Sequence, residues 1–182
     1  MKHFTVKIKL NQFVLLALLL ALGIVCAKLT FGSNLIKVSP SFIPNSLIGM
    51  IGGPLWAGIT LALGDILGAL FSGTPYFPGF TFSAFFVGGL YGLFFYKKSL
   101  NVKRGLDWLY TFVAMTVIML VDSTFFNTLW VTLLIPHHTF HTFLALLSAR
   151  SLLLIQIPIK TLVIMLIIPN LQAIKPIQRV IL

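Results

Sequence analysis

Two carboxylates, Asp65 and Asp122, lie inside long apolar stretches and are the residues best suited to chemistry. A charged group in apolar surroundings is costly, so it is normally paired or used in function. Asp65 could accept hydrogen bonds from the N–H groups of a ligand. It could instead form a structural pair with Lys28, Arg150 or a helix terminus. For Asp122 the sequence favours a buried structural pair with Lys160.

Three further polar or aromatic residues could complete a binding site. The guanidinium of Arg150 can hold a carboxylate through two parallel hydrogen bonds, so we expect it to bind an anionic group of a ligand. Asn127 and Trp130 are three residues apart and share one helix face. Asn127 could bond a ligand or another helix, and Trp130 could stack on a ligand or lie at a membrane interface.

The loop around residues 73–81, GTPYFPGFT, predicts a rigid aromatic surface. Its glycines and prolines impose an irregular backbone between two apolar runs. Tyr76, Phe77 and Phe80 add flat apolar faces, and the loop carries no charge. We therefore expect it to contact a flat aromatic ligand.

The catalytic motifs of common enzymes are missing from the sequence. It contains no phosphate-binding loop, serine elbow or zinc-binding helix motif, and no Glu at all. His137, His138 and His141 cluster without a carboxylate or cysteine nearby in sequence, so we predict no metal site. We predict neither catalytic residues nor a cofactor, and any energy input would come from a partner.

The composition predicts an integral membrane protein with a single domain, residues 1–182. The chain has 182 residues, 58% of them hydrophobic and only 9% charged, with a mean hydropathy of +1.04. Nine of the thirteen basic residues cluster at the two ends and in one internal segment. They are Lys2, Lys7, Lys9, Lys97, Lys98, Lys103, Arg104, Lys175 and Arg179. By the positive-inside rule, both termini and the 97–104 segment are predicted to be cytoplasmic.

The apolar runs predict an all-α bundle of six transmembrane helices. They cover residues 13–31, 42–51, 55–71, 80–96, 108–135 and 143–168. The second run is too short to span a bilayer as a helix, which needs about 20 residues. It must nevertheless count as a crossing if the N-terminus and the 97–104 segment share a side. The remaining depth would come from irregular backbone, which is tolerated only beside protein or a water-filled cavity. We therefore predict an outward-facing ligand pocket lined by residues 32–44.

Small residues at a spacing of four mark faces for close helix contact. Ala17 and Ala21 lie in a plain leucine run, which favours a surface for a partner protein, although intramolecular packing is the commoner use of such pairs. Ala84, Gly88 and Gly92 form a longer series with the same spacing.

Several motifs resemble one family of membrane proteins, the substrate-binding (S) components of energy-coupling-factor transporters. The resemblance rests on six apolar runs with a short second one, GGPLWAG at 52–58 and GDILG at 64–68. YFPGFT at 76–81, GGLYG at 88–92 and FNTLW at 126–130 are similar to the folate-specific members.

The resemblance implies a bacterial membrane subunit that binds folate and docks on a transmembrane coupling protein driven by two ATPases. Ala17 and Ala21 match the docking motif of the family. On this hypothesis the pterin stacks on Trp130, or on Phe77 and Tyr76. Its N–H groups would meet Asp65 and Asn127. The glutamate tail would meet Arg150, helped at the mouth by Lys28 or Lys37.

Other functions stay open at this point. The chain could be an S component for thiamine or riboflavin, of which cationic thiamine would favour acidic and aromatic lining over Arg150. It could also be a structural membrane protein without a ligand. An ion-coupled transporter is a third class, but the sequence shows no internal repeat to support it.

Overall fold

The structure is a computed structural model that describes residues 8–29, 31–32, 37–73, 75–134 and 140–172. The terminal basic residues Lys2, Lys7, Lys175 and Arg179 lie outside the described residues, as do His137 and His138. The elements are α1 (Leu10–Lys28), β1 (Phe31–Gly32), β2 (Lys37–Val38), α2 (Phe42–Ser72), α3 (Pro78–Phe95), α4 (Gly105–Met119), a π-helical segment (Leu120–Phe126), α5 (Asn127–Leu134), α6 (Phe140–Ser151), a 3-10 segment (Leu152–Gln156) and α7 (Ile157–Gln172).

The predicted helical membrane class is confirmed. Five segments of the described chain are long and apolar enough to cross a membrane: Leu10–Lys28, Phe42–Ser72, Pro78–Phe95, Gly105–Leu134 and Phe143–Gln172. The two-residue strands β1 and β2 pair antiparallel beyond the end of α1. The second and third predicted runs are joined in α2, where the backbone leaves helical geometry only at Gly53.

Helix α2 reverses direction at Gly53, which has φ 68° and ψ −176°. Only glycine adopts this backbone region readily. Pro54 follows and lacks the N–H that the Met50 carbonyl would otherwise accept in a helix. The backbone N–H of Lys97, just after α3, donates to that carbonyl at 3.3 Å. Lys97 itself has a positive φ of 50°.

Contacts with α1 show the reversal. A Cβ built on Gly52 would lie 3.3 Å from Leu16, and one on Gly23 would lie 3.7 Å from Asn45. Residues 42–52 therefore run antiparallel to α1. A Cβ on Gly64 would lie 2.8 Å from Leu20, and the last residue of α1 bonds to the last residue of α2. Residues 54–72 therefore run parallel to α1, so the two halves of α2 form a tight helical hairpin.

Glycines let α3 pack directly against this hairpin. A Cβ on Gly88 would lie 2.4 Å from the Ala57 carbonyl oxygen, and one on Gly92 would lie 2.4 Å from the Pro54 backbone. The glycines Gly88 and Gly92 thus serve packing within the chain. Ala17 and Ala21, by contrast, lie exposed on the outer surface of α1.

The last two long spans contain irregular turns. The π-helical segment between α4 and α5 includes Asp122. In the final span, a 3-10 segment precedes Pro158, whose ring nitrogen cannot donate to the Leu154 carbonyl. At the end of α7, the side chain of Gln172 accepts a hydrogen bond from the Leu100 N–H at 3.0 Å and donates one to the Lys98 carbonyl at 2.7 Å.

Candidate functional site

A cavity of about 520 Å³ lies between α1, α2, α3 and the π-helical segment. Its volume falls within the range of about 300–1,000 Å³ that is usual for small-molecule sites. Its wall includes five of the residues predicted for ligand binding: Lys28, Asp65, Tyr76, Phe77 and Phe80. Other polar lining residues are Ser41, Asn45, Ser72 and Asp122. Apolar lining comes chiefly from Leu20, Ile24, Ile48, Leu61 and Val87.

One end of the cavity, here called the mouth, is formed by the exposed residues Lys28, Ser72 and Tyr76. The Lys28 ammonium donates a hydrogen bond to Ser72 Oγ, and that hydroxyl donates to the Gly68 carbonyl at 2.6 Å. The bond links the end of α1 to the end of α2. The Lys28 ammonium group also gives the mouth a positive charge.

Asp65 belongs to a polar network midway along the wall. Its Oδ2 accepts a hydrogen bond of 2.7 Å from Thr81 Oγ1, which lies 3.0 Å from the Tyr76 hydroxyl. The network ties α2 to α3 and positions the tyrosine. Among the described residues, the partner of Asp65 is therefore the neutral Thr81 hydroxyl and not a cation. Its Oδ1 receives no hydrogen bond from any residue that the structure describes.

Aromatic rings form the wall next to this network. The Phe77 ring centroid lies 5.7 Å from that of Phe80 and 5.7 Å from that of Trp130, both edge to face. The indole N–H of Trp130 donates to Ser83 Oγ at 2.6 Å. Trp130 also stacks on Phe126 with an interplanar angle of 7°. Trp130 does not line the cavity; it supports Phe77 from behind.

Gly79 makes this aromatic packing possible. A Cβ at that position would lie 2.3 Å from Phe77 and 2.7 Å from Trp130. Both distances are shorter than van der Waals contact, so only glycine fits between the rings. The conformation of the predicted aromatic loop therefore requires that residue 79 have no side chain.

Asp122 lies at the opposite end of the cavity, here called the floor, together with Ile48 and Val87. The sequence favoured a buried structural pair between Asp122 and Lys160. In the structure the positive charges of both Lys160 and Arg150 act on the Asp122 carboxyl group, which also belongs to the cavity wall. The sequence could not show which way the carboxyl group points.

Among the remaining predicted site residues, Asn127 and Arg150 do not line the cavity. Lys37 lies in β2, and its side chain lies outside what the structure describes. Asn45 lines the cavity but was not selected from the sequence. Its place next to Pro44 in the short helical run was the available signal. No cluster of His, Cys, Asp or Glu suited to a metal ion occurs among the described residues.

Comparisons with known proteins give consistent results. The family described as ECF transporter, substrate-specific component, matches residues 11–174. A folate transporter FolT from Streptococcus mutans serotype c is 39% identical over 176 residues, which cover 95% of this chain and 93% of the relative. A folate transporter FolT from Leuconostoc mesenteroides is 35% identical over 159 residues, which cover 85% and 82%.

A solved structure has a similar fold. The crystal structure of FolT bound with folic acid superposes with a TM-score of 0.70 at 31% sequence identity. The match covers 89% of this chain and 94% of that one.

Proposed function

Because the chain belongs to the substrate-specific components of ECF transporters, we propose that it is the membrane subunit that captures folate for uptake. Its family places it among transporter components and not among enzymes. Relatives named folate transporter cover most of the chain at 35–39% identity. The observation that carries the proposal is the cavity, which combines an aromatic wall, a carboxylate and a cationic mouth within a fold similar to folic acid-bound FolT.

The proposed topology has six crossings, with the mouth facing outward. The reversal at Gly53 supports this count, because residues 42–52 and 54–72 run in opposite directions along α1. The bond from Lys97 to Met50 puts the basic segment next to this hinge. The Lys28–Ser72 mouth is at the other end of residues 54–72. If the basic segment is cytoplasmic, as the positive-inside rule predicts, the mouth opens to the exterior.

Folate has a flat pterin ring, several N–H groups and an anionic glutamate tail, and the cavity offers a partner for each. The pterin would pack against Phe77, Tyr76 and Phe80, with Trp130 behind them. The Oδ1 of Asp65 would accept an N–H of the ligand, and Asn127 stays a predicted partner for another.

The glutamate tail would lie at the mouth, within reach of Lys28. The Lys28–Ser72 bond must then exchange for a bond to the ligand carboxylate, which adds the attraction between two opposite charges to the hydrogen bond. Arg150 and Lys37 stay predictions for the same group. No covalent step is needed, since folate is bound and released unchanged.

Transport would require partners in the bacterial cell membrane. We propose a transmembrane coupling protein and two ATPase subunits, since no motif for ATP hydrolysis occurs in this chain. The exposed Ala17 and Ala21 on α1 are the proposed docking face. A second pair of small residues four apart on α1, Gly23 and Ala27, lines the cavity, which leaves the alanine pair for a partner.

Mass spectrometry of small molecules retained after gentle purification tests the proposed ligand. The purified protein should carry folic acid or a reduced folate in a stoichiometric amount. Retention of riboflavin or thiamine instead would contradict folate specificity while leaving the family intact. Copurification of ATPases with a tagged copy tests the partner proposal separately.

A further inference from the structure

The basic segment, residues 97–104 between α3 and α4, has no part in the cavity. Its cations are Lys97, Lys98, Lys103 and Arg104. The side chains of Lys97, Lys103 and Arg104 are exposed, and that of Lys98 is half-buried. The whole chain has only three acidic residues, and Asp107 is the one nearest to this segment in sequence. The segment therefore presents a strongly positive surface.

The basic segment is a folded turn held by side chains from outside it. Gln172 of α7 accepts a hydrogen bond from the Leu100 N–H at 3.0 Å and donates one to the Lys98 carbonyl at 2.7 Å. The indole N–H of Trp108 donates to the Val102 carbonyl at 2.8 Å. These bonds fix the backbone on both sides of residue 101, so the cations are attached to a rigid frame.

The single nearby carboxylate is used on the backbone and not on the cations. Asp107 Oδ2 accepts a hydrogen bond of 2.9 Å from the Asn101 N–H, and Asn101 Oδ1 accepts one of 3.0 Å from the Lys103 N–H. Neither the Lys103 nor the Arg104 side chain makes an ion pair or hydrogen bond with any residue that the structure describes. Two adjacent cations on a rigid turn thus remain available to an external anion, and a rigid frame lowers the entropic cost of binding it.

The surroundings of these cations are those of a membrane surface. Leu106 is 79% exposed and Leu109 is 60% exposed. The two leucines are three residues apart in α4 and share one helix face. The Lys98 ammonium lies 4.2 Å from the centre of the Tyr110 ring. Tyr and Trp side chains next to cations are typical of the boundary between lipid and water. The basic segment therefore lies at the depth of lipid headgroups.

From this geometry we infer that the basic segment binds the phosphate group of an anionic phospholipid. The guanidinium of Arg104 can hold two phosphate oxygens at once, and the ammonium of Lys103 adds a point charge. Leu106 and Leu109 lie against the acyl chains. This inference goes beyond the proposed function and does not depend on which ligand the cavity takes.

Competition between two lipids tests the inference. The full-length protein in detergent is mixed with equal amounts of phosphatidylglycerol and phosphatidylcholine that have identical acyl chains, and the bound lipids are counted by native mass spectrometry. Both lipids carry a phosphate, but only in phosphatidylcholine does a cationic choline neutralise it. The test variant is Lys103→Gln with Arg104→Gln.

A control variant, Lys7→Gln with Lys9→Gln, removes the same charge elsewhere. Lys9 is exposed and lies at the same end of the molecule as the basic segment. The ring of Phe13, four residues after Lys9, lies 6.5 Å from that of Trp56, close to the hinge at Gly53. The N–H of Lys97 bonds to Met50 on the other side of this hinge.

We expect the wild-type protein to retain phosphatidylglycerol over phosphatidylcholine at least about tenfold. The preference should fall below about threefold in the test variant and stay within about twofold of wild type in the control variant. Both variants should unfold at the wild-type temperature, since exposed side chains without partners contribute little to stability.

Equal losses in the two variants would overturn the inference, because the attraction would then be general and not a site. The absence of a preference in the wild-type protein would also overturn it, as would an undiminished preference in the test variant. If that variant instead lost copurification of the coupling protein, the basic segment would belong to a protein partner. Folic acid binding is measured separately, and its absence would contradict the proposed function but not the lipid site.

Discussion

Among single residues, Gly79 has the clearest steric role. Because a Cβ there would lie 2.3 Å from Phe77 and 2.7 Å from Trp130, a side chain must push the rings apart. We expect Gly79→Ala to weaken folic acid binding about tenfold by displacing Phe77 from the wall, as overpacking costs about 1–3 kcal/mol. Calorimetric titration measures the effect. Gly105→Ala is the control, since a Cβ at that position has no neighbour within 4 Å. Equal affinities of the two variants would contradict this role.

Lys28 makes a second testable contribution at this scale. If its ammonium binds the glutamate tail, Lys28→Ala should weaken folic acid binding about fivefold to tenfold, as expected for loss of a charge-assisted hydrogen bond. Binding of a pterin without the aminobenzoyl-glutamate tail should not change. Lys103→Ala, an exposed cation in the basic segment, serves as the control. An equal loss for both ligands would show that Lys28 acts on the fold and not on the tail.

The sequence selected several residues of the cavity wall but could not orient them all. Asp65, Tyr76, Phe77 and Phe80 could be selected because charge, aromatic character and loop chemistry are visible in the sequence. Asn127 follows directly after the π-helical segment. That segment departs from 3.6 residues per turn, so the face of every later residue shifts. The i, i+3 spacing of Asn127 and Trp130 therefore could not show that the face they share is turned away from the cavity.

At the scale of elements, the contact between α2 and α3 should control stability. Gly88→Ala would place a Cβ 2.4 Å from the Ala57 carbonyl oxygen, which forces the helices apart. We expect a loss of about 1–3 kcal/mol in the free energy of unfolding, visible as a lower midpoint of thermal unfolding in detergent. The adjacent Gly89→Ala is a matched control, because its nearest neighbour would be 3.8 Å away. A control variant as unstable as Gly88→Ala would contradict this packing.

Hydropathy located the helices well but not the joints between them. The break at residues 52–54 was visible as two glycines and a proline, yet only the structure shows the tight hairpin at Gly53. Its stabilising bond comes from Lys97, which is distant in sequence, so no local pattern could predict it. The π-helical and 3-10 segments were likewise hidden, because continuous apolar runs look alike whatever their hydrogen-bonding period.

At the scale of the whole molecule, binding and coupling should be separable. Ala17 and Ala21 are exposed on α1, away from the cavity. We expect Ala17→Leu together with Ala21→Leu to abolish copurification of the coupling protein and folate uptake, because bulky residues prevent close helix approach. Folic acid binding by the isolated variant should stay within about twofold of wild type. Ala145→Leu, at an exposed site on α6, is the control. Unimpaired uptake by the double variant would contradict the docking face.

The most direct test of folate capture is equilibrium titration of the purified wild-type chain with folic acid, in parallel with riboflavin and thiamine. We predict saturable binding of one folic acid per chain with a dissociation constant below about 1 μM, which corresponds to about −8 kcal/mol. The other two vitamins should bind at least about a hundredfold more weakly. Absence of saturable folic acid binding, or equal affinity for the three vitamins, would contradict the assignment of the cavity to folate.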